Sequence, residues 1–281
     1  MTTNGKIPGW KYYNHAAIPT CAPHETPDLT PIKDGSIWKM NGKPLLARYT
    51  TDWDCGYDTG WWYLIKEAPF DVASLSSNSR KHIKEAFRKT EVKKIDPVEY
   101  VDALYECSHQ AFLKYKLASN EIPFDVFKQN CINAAKYKIE FWAGFDLQTG
   151  ALIGWINVQV HENWCEIISA KFDPRFLKLR VSDALYAGVL DFYLNQEKKM
   201  YASSGTRSIN HVTNTQEYKE QHFGYRKAYC KLRIEYSPKV TLLIKVIYPF
   251  KFLVNFVGRF VKKAHLLSAV LDMEEIARQG R

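Results

Sequence analysis

The stretch from Glu140 to Arg233 constrains the fold more than any other part of the chain, because strand-like and helix-like runs follow one another there in a fixed order. Ile139–Phe145 turns at Gln148-Thr149-Gly150 into Leu152–Val160, and His161-Glu162-Asn163 turns into Trp164–Lys171. Asp173-Pro174 breaks that strand. Apolar residues at helical spacing (Leu177, Val181, Leu185, Gly188, Phe192) then predict a helix over 177–195. A short strand at Met200–Ser203, a helix at Thr213–His222 stopped by Gly224, and a strand at Arg226–Tyr236 complete the series. Hairpin, strand, turn, helix, strand, helix, strand is an α+β order, and it predicts a mixed central sheet flanked by helices.

Upstream, Ile83, Ala86 and Phe87 give residues 77–90 one apolar face, opposite Arg80, Lys81, Lys84, Arg88 and Lys89. Asp96-Pro97-Val98-Glu99 has the chemistry of a helix start, with Asp as cap, Pro in the first turn and Glu reaching back. That helix is expected to reach Lys116, and a second follows Pro123 to about Ala135. Residues 1–70 are rich in Pro, Trp and Tyr. Asn41-Gly42 predicts a hairpin joining Ile37–Met40 to Leu45–Thr50, with a further strand at Trp61–Lys66. The first 35 residues are expected to wrap irregularly. The expected division is a β-rich N-terminal extension (1–76), a central domain (77–237) and a basic amphipathic helical tail (238–281).

A chain of 281 residues that is 46% hydrophobic can bury one large or two small cores. Its net charge of +9 favours anionic partners such as nucleotides, tRNA, acidic sugars or an anionic membrane surface. The six cysteines form no Cys-x-x-Cys pair, which fits reduced, mostly buried thiols. Met1 to Pro8 has no apolar core of a signal peptide, and the expected location is cytoplasmic. In the tail no acidic residue occurs between Glu235 and Asp272, while Lys239, Lys245, Lys251, Arg259, Lys262 and Lys263 add six positive charges. A helix opened by Pro249 would carry an apolar stripe of Leu253, Phe256, Val257, Phe260, Val261 and Leu267, with Lys251, Asn255, Arg259, Lys262 and Lys263 largely opposite. That profile suits either a membrane interface, placing the protein peripherally on the inner face through 239–271, or docking on the protein itself or on a second copy.

Element order over roughly 90–236 resembles the GNAT superfamily of acyl-CoA transferases. The resemblance implies a central strand that splays from its neighbour, with acyl-CoA in the gap and its pyrophosphate on the amides of a helix N-terminus. In this chain that place is Asp173 to Leu185, where Arg180 and Ser182 stand at the family's two glycine positions. Lys178 and Arg180 can bind an anion through their side chains instead. The altered turn is similar to the Fem-type branch, peptidoglycan aminoacyltransferases that use aminoacyl-tRNA and lack the usual CoA loop. Tyr12-Tyr13-Asn14-His15, Asp54-Cys55-Gly56-Tyr57 and Phe223 to Cys230 also resemble uncharacterised bacterial proteins associated with surface-polysaccharide genes.

Acyl transfer needs a base for the acceptor, a donor for the oxyanion and an acid for the leaving group. Glu166, mid-strand, is the candidate base, against a strand residue that faces solvent or pairs across the sheet. Tyr218 is the candidate acid, against core packing, and Tyr229 has the same standing. Ser203 to His211 gathers hydroxyls, Arg207 and His211 after a strand end, where a ligand crevice opens; Arg207 can clamp a phosphate and His211 can act as a base. The donor-binding candidates are therefore Lys178, Arg180, Ser182 and Arg207. His15, His24, Glu25, Asp52, Asp54 and Cys55 match no metal motif, and no metal is expected. The basic helix at 80–89 can contact tRNA or simply be solvated, and Trp61-Trp62 can stack on sugars or pack in the core. Two functions follow: a transferase moving an acyl or aminoacyl group, from acyl-CoA or aminoacyl-tRNA, onto an amine or hydroxyl of an envelope glycan precursor; or a catalytically silent protein of the same fold that binds a nucleotide, glycan or membrane.

Overall fold

The computed structural model describes residues 5–115, 121–208, 214–258 and 261–280. Its elements are, in order, β1 (Trp10–Tyr13), β2 (Ala16–Pro19), α1 (Thr30–Lys33), β3 (Leu46–Thr51), β4 (Trp62–Glu67), α2 (Ser77–Phe87), β5 (Thr90–Ile95), α3 (Val101–Tyr115), α4 (Phe124–Asn133), β6 (Ile139–Asp146), β7 (Leu152–Val160), β8 (Trp164–Phe172), α5 (Val181–Leu190), β9 (Tyr201–Thr206), α6 (Thr215–Phe223), β10 (Arg226–Tyr229), β11 (Lys231–Tyr236), α7 (Pro238–Ile247), α8 (Lys251–Gly258) and α9 (Lys262–Gln279). Two compact units result: Met1–Tyr63 with Thr206–Val212 and Lys227–Arg281, and Leu64–Gly205 with Thr213–Arg226. Among the described residues one sheet has the strand order β1-β2-β3-β11 and the other β10-β4-β9-β8-β7-β6-β5. The fold class is the α+β one expected.

In the second unit β5, β6, β7 and β8 are antiparallel neighbours, and β8 pairs with β9 in parallel. Adjacent residues of one strand face opposite sides, so each strand feeds two cores. Trp142, Ile156 and Ile167 join Val181, Leu185, Val189 and Ile83 on the side of α5 and α2. Phe141 and Trp155 join Leu104, Cys107, Phe127 and Cys131 on the side of α3 and α4. Gly144 and Gly154 let α5 approach the sheet: a Cβ on Gly144 would lie 2.7 Å from Val181 Cγ2, and one on Gly154 2.9 Å from the same atom. Because Val181 is fully buried, the clash cannot swing out to solvent. Gly144→Ala is expected to lose roughly 1–3 kcal/mol of stability, the range for an overpacked core, measured as a lower midpoint in urea.

Several boundaries differ from the sequence expectation. Ser36–Lys39 is a 3-10 turn and not a strand. It opens at Gly35, whose φ is +75°, and buries Ile37 and Met40 against Trp10, Ala17 and Ala47. Lys43 N–H donates to Met40 O at 2.9 Å, so the chain does turn at 40–43, while β3 pairs with β2 and β11 instead. The first 35 residues contain the β1–β2 hairpin. Asp96 Oδ1 accepts from Val98 N–H at 2.8 Å and holds a turn, which delays the start of α3 to Val101. Residues 226–236 form two strands, because Thr59 Oγ1 donates to Cys230 O and diverts the backbone between β10 and β11. The expected helix at 177–195 starts as a 3-10 turn over Pro174–Leu179, breaks at Arg180, and resumes as α5, which a π-helical turn over Asp191–Gln196 continues to the expected end.

The tail, in the first unit, reverses the expected polarity of α8. Lys251 pairs with Asp272 at 2.8 Å and with Glu275, and Asn255 bonds to Asp272 and Ser268, all on α9. The face expected to meet water is therefore engaged with α9. Phe252, Leu253, Phe256 and Val257 are exposed, as are Leu242, Leu243 and Val246 on α7. Ile276 and Ala277 of α9 pack with Leu46, Trp61, Leu232 and Ile234. By length and composition, Pro238–Val257 could cross a membrane, although a 3-10 turn at Tyr248–Phe250 interrupts it.

Candidate functional site

In the second unit the parallel pairing of β8 with β9 ends part-way along both strands. Their parallel register comprises Trp164↔Tyr201, Cys165↔Ala202 and Glu166↔Ser203, after which β8 runs on to Phe172 and β9 to Thr206. A bulge in the β7–β8 pairing at Ile168 bends β8 just past the last paired residue. Glu166, half-buried, sits at that last position.

The turn after β8 is built from Asp173, which is almost wholly buried and accepts hydrogen bonds from Arg175 N–H at 2.9 Å and from its guanidinium. The turn ends at Arg180, whose φ of +59° and ψ of +35° are the left-handed values that glycine adopts at least cost. The backbone at the altered position thus keeps the glycine conformation although the side chain is arginine. Arg180 Nε donates to Glu85 Oε2 on α2 at 3.0 Å, and this bond draws the Glu85 carboxyl below its usual range. α5 begins at the next residue; Asp183 N–H donates to Arg180 O at 2.9 Å, so the amides of Val181 and Ser182 are the ones that precede the first helical hydrogen bond.

Ser182, Asp183 and Tyr218 meet at the start of α5. The Tyr218 hydroxyl donates to Asp183 Oδ1 at 2.9 Å and lies 3.1 Å from Ser182 Oγ. Burial, and then the Asp183 carboxylate, push the Tyr218 phenol well above its ordinary value, so it stays protonated and able to donate. Beside Tyr218 on α6 is Lys219, which is only 5% exposed. Its ammonium donates to Ser204 Oγ, on the first β9 residue beyond the paired segment, and lies 4.9 Å from the centre of the Tyr186 ring. Burial lowers its pKa from 10.5 to about 8.

Of the residues singled out from sequence, Arg180, Ser182 and Tyr218 come together here, and Glu166 marks the point of parting. Lys178 is exposed on the turn. Arg207 belongs to the other unit, where it donates to Gly60 O at 2.5 Å and lies over the Trp62 ring, with Lys227 also against that ring. His211 lies outside the described residues. Sequence reasoning missed Lys219, Asp183, His222 and His82. The one signal available was the i, i+4 pair Tyr218 and His222, which share a helix face and make a tilted ring contact at 4.8 Å.

No family model matches the chain, and no curated protein matches it. Solved structures do. FemX superposes with a TM-score of 0.58 at 7% identity, covering 78% of each chain. A lysylphosphatidylglycerol synthetase C-terminal domain from Agrobacterium fabrum gives 0.55 at 11% identity, covering 85% of this chain and 84% of that one. L-PGS from Bacillus licheniformis gives 0.51 at 13% identity, covering 84% and 83%. With the parted parallel strands, the turn and the helix start of α5 in place, the chain has a GNAT/Fem-like fold.

Proposed function

We propose that the protein is a GNAT-like transferase that moves an acyl or aminoacyl group onto an amine or hydroxyl of a cell-envelope glycan precursor at the inner membrane face. The observation that carries this is the end of the β8–β9 pairing at Glu166 and Ser203, with the buried Lys219 ammonium bonded to Ser204 just beyond it. An ammonium held in a low-dielectric site is suited to the oxyanion that forms when acceptor attacks the donor's carbonyl. Below about pH 8 Lys219 is charged for that task. Tyr218 can return a proton to the leaving group, and Glu166 can take one from the acceptor. The α5 N-terminus, with Ser182 and Arg180, is offered as the donor's phosphate site. Fold neighbours named FemX and lysylphosphatidylglycerol synthetase support an aminoacyl version alongside the acyl-CoA one. The exposed apolar face of α7 and α8 supports a membrane-surface location.

Titration with acetyl-CoA and with aminoacyl-tRNA tests the reading. Saturable binding of one is expected, with a steep salt dependence if it is the tRNA; binding of neither would overturn it. Arg180→Gly separates a backbone cradle from a side-chain clamp. The substitution removes a left-handed arginine costing about 1 kcal/mol together with a solvent-screened ion pair, so stability should barely change. Retained donor affinity would assign the phosphate to the backbone amides, and a tenfold loss would assign it to the guanidinium. A silent binding protein is the second reading. The Arg180–Glu85 pair favours it, because Glu85 already neutralises a cation at the donor's place.

A further inference from the structure

Going beyond the transferase reading, although it borders the residues used there, the second unit brings three metal-ligand side chains together from three separate segments. His82 lies on α2, Asp183 in the first turn of α5 and His222 near the end of α6. One ligand atom from each falls within 4.8 Å of the others. We infer that His82, Asp183 and His222 bind a divalent transition ion, of the zinc or ferrous class, through two imidazole nitrogens and one carboxylate oxygen.

The surroundings are those of a held site. Asp183 is 5% exposed, and its carboxylate is fixed by the Tyr218 hydroxyl at 2.9 Å. That donor is neutral, and no ion pair of Asp183 is found among the described residues. A buried carboxylate with only a neutral donor is poorly compensated, and a cation between it and two imidazoles supplies the missing charge. On the opposite side, His222 Nδ1 lies 3.3 Å from Ser79 Oγ, which itself lies 2.9 Å from Ser76 Oγ; Ser79 is 1% exposed. A hydrogen bond at Nδ1 orients the ring and leaves Nε2 for an ion, the outer-shell arrangement common to metal-binding histidines. The His82 and His222 rings are near parallel, at 21°, with centroids 6.1 Å apart.

Ligand bonds of about 2.0–2.2 Å put tetrahedral donors roughly 3.3–3.6 Å from one another. Each pair here must therefore close by no more than about 1.5 Å. Both histidines are half-buried and can rotate to do so, while Asp183 stays fixed. Two imidazoles with one carboxylate select zinc, iron(II), cobalt(II) or nickel(II) over magnesium and calcium. Three protein ligands leave at least one coordination position for water or a substrate oxygen.

The test uses the full chain, stripped with a chelator and dialysed against Zn²⁺ or Co²⁺. The expected result is one tight ion per chain, a cobalt visible spectrum of four- or five-coordinate intensity, and a higher thermal midpoint with Zn²⁺ but not with Mg²⁺. His82→Ala and His222→Ala should each weaken binding at least tenfold. The six other histidines make the variants necessary. If either variant folds poorly, His82→Cys serves: it should keep the stoichiometry and add a thiolate-to-cobalt band. Absence of tight binding, or binding unchanged in the alanine variants, would overturn the inference, as would a cobalt spectrum that His82→Cys leaves unaltered.

Discussion

Lys219→Met is expected to stabilise the protein by about 2 kcal/mol at pH 7 and to slow transfer by roughly 10²–10³-fold. Burial lowers the lysine from 10.5 to about 8, which means the folded state disfavours its charged form. That difference corresponds to roughly 3 kcal/mol, and losing the Ser204 hydrogen bond takes back about 1 kcal/mol. The sign with pH follows. Below about 8 the lysine is protonated in both states, and the folded protein carries the whole penalty. Between about 8 and 10.5 the unfolded chain holds a proton that the folded chain has released, so stability rises with pH. Buried Cys107, Cys165 and Cys230, each raised from 9.0 to about 12, act oppositely: their stabilising effect is complete below 9.0 and declines above it. The quantity to measure is therefore the wild-type minus Lys219→Met difference in urea unfolding, at pH 7 and pH 9. The advantage of the variant should shrink across that interval. Wild-type transfer should fall above about pH 8 as the ammonium is lost. A variant less stable than wild type at pH 7 would contradict the buried ammonium.

Vesicle binding should collapse in Phe252→Ser/Phe256→Ser. These two rings are 69% and 60% exposed on the face of α8 away from α9. Burying a phenylalanine is worth about 1.5–3 kcal/mol, so losing both should lower partitioning by roughly 10²–10⁴-fold. Lys239 and Lys245 add about 1 kcal/mol each near an anionic surface, a part that high salt should remove. An interfacial placement fits better than a span, because Lys245 and the polar α8–α9 contacts would otherwise lie in hydrocarbon. Sedimentation with vesicles containing anionic lipid, using wild type and the double variant, is the measurement; equal binding of the two would refute the interfacial face.

Local patterns in the sequence carried much of this. Alternation and turn chemistry marked β6, β7 and β8, and Asp173-Pro174 marked the turn before α5. Periodicity also separated the two faces of α8, but it could not say which face was covered. Lys251 and Asn255 looked solvent-facing because their partners Asp272, Ser268 and Glu275 come from another helix. The same limit hid the site. Lys219 sits in the polar run Thr215–Phe223 and owes its burial to Tyr186 and Ser204, residues of α5 and β9. His82, Asp183 and His222 are separated by 101 and 39 positions, so no spacing motif could announce them. Arg180 was legible as a departure from glycine, whereas its backbone conformation was not.

That conformation has a consequence for how the fold can change function. The loop at Arg180 already follows the path a glycine would give it, and the arginine is latched outward by one contact to Glu85. Exchanging the arginine for glycine here would change charge and bulk at the start of α5 in a single step, with no rebuilding of the turn.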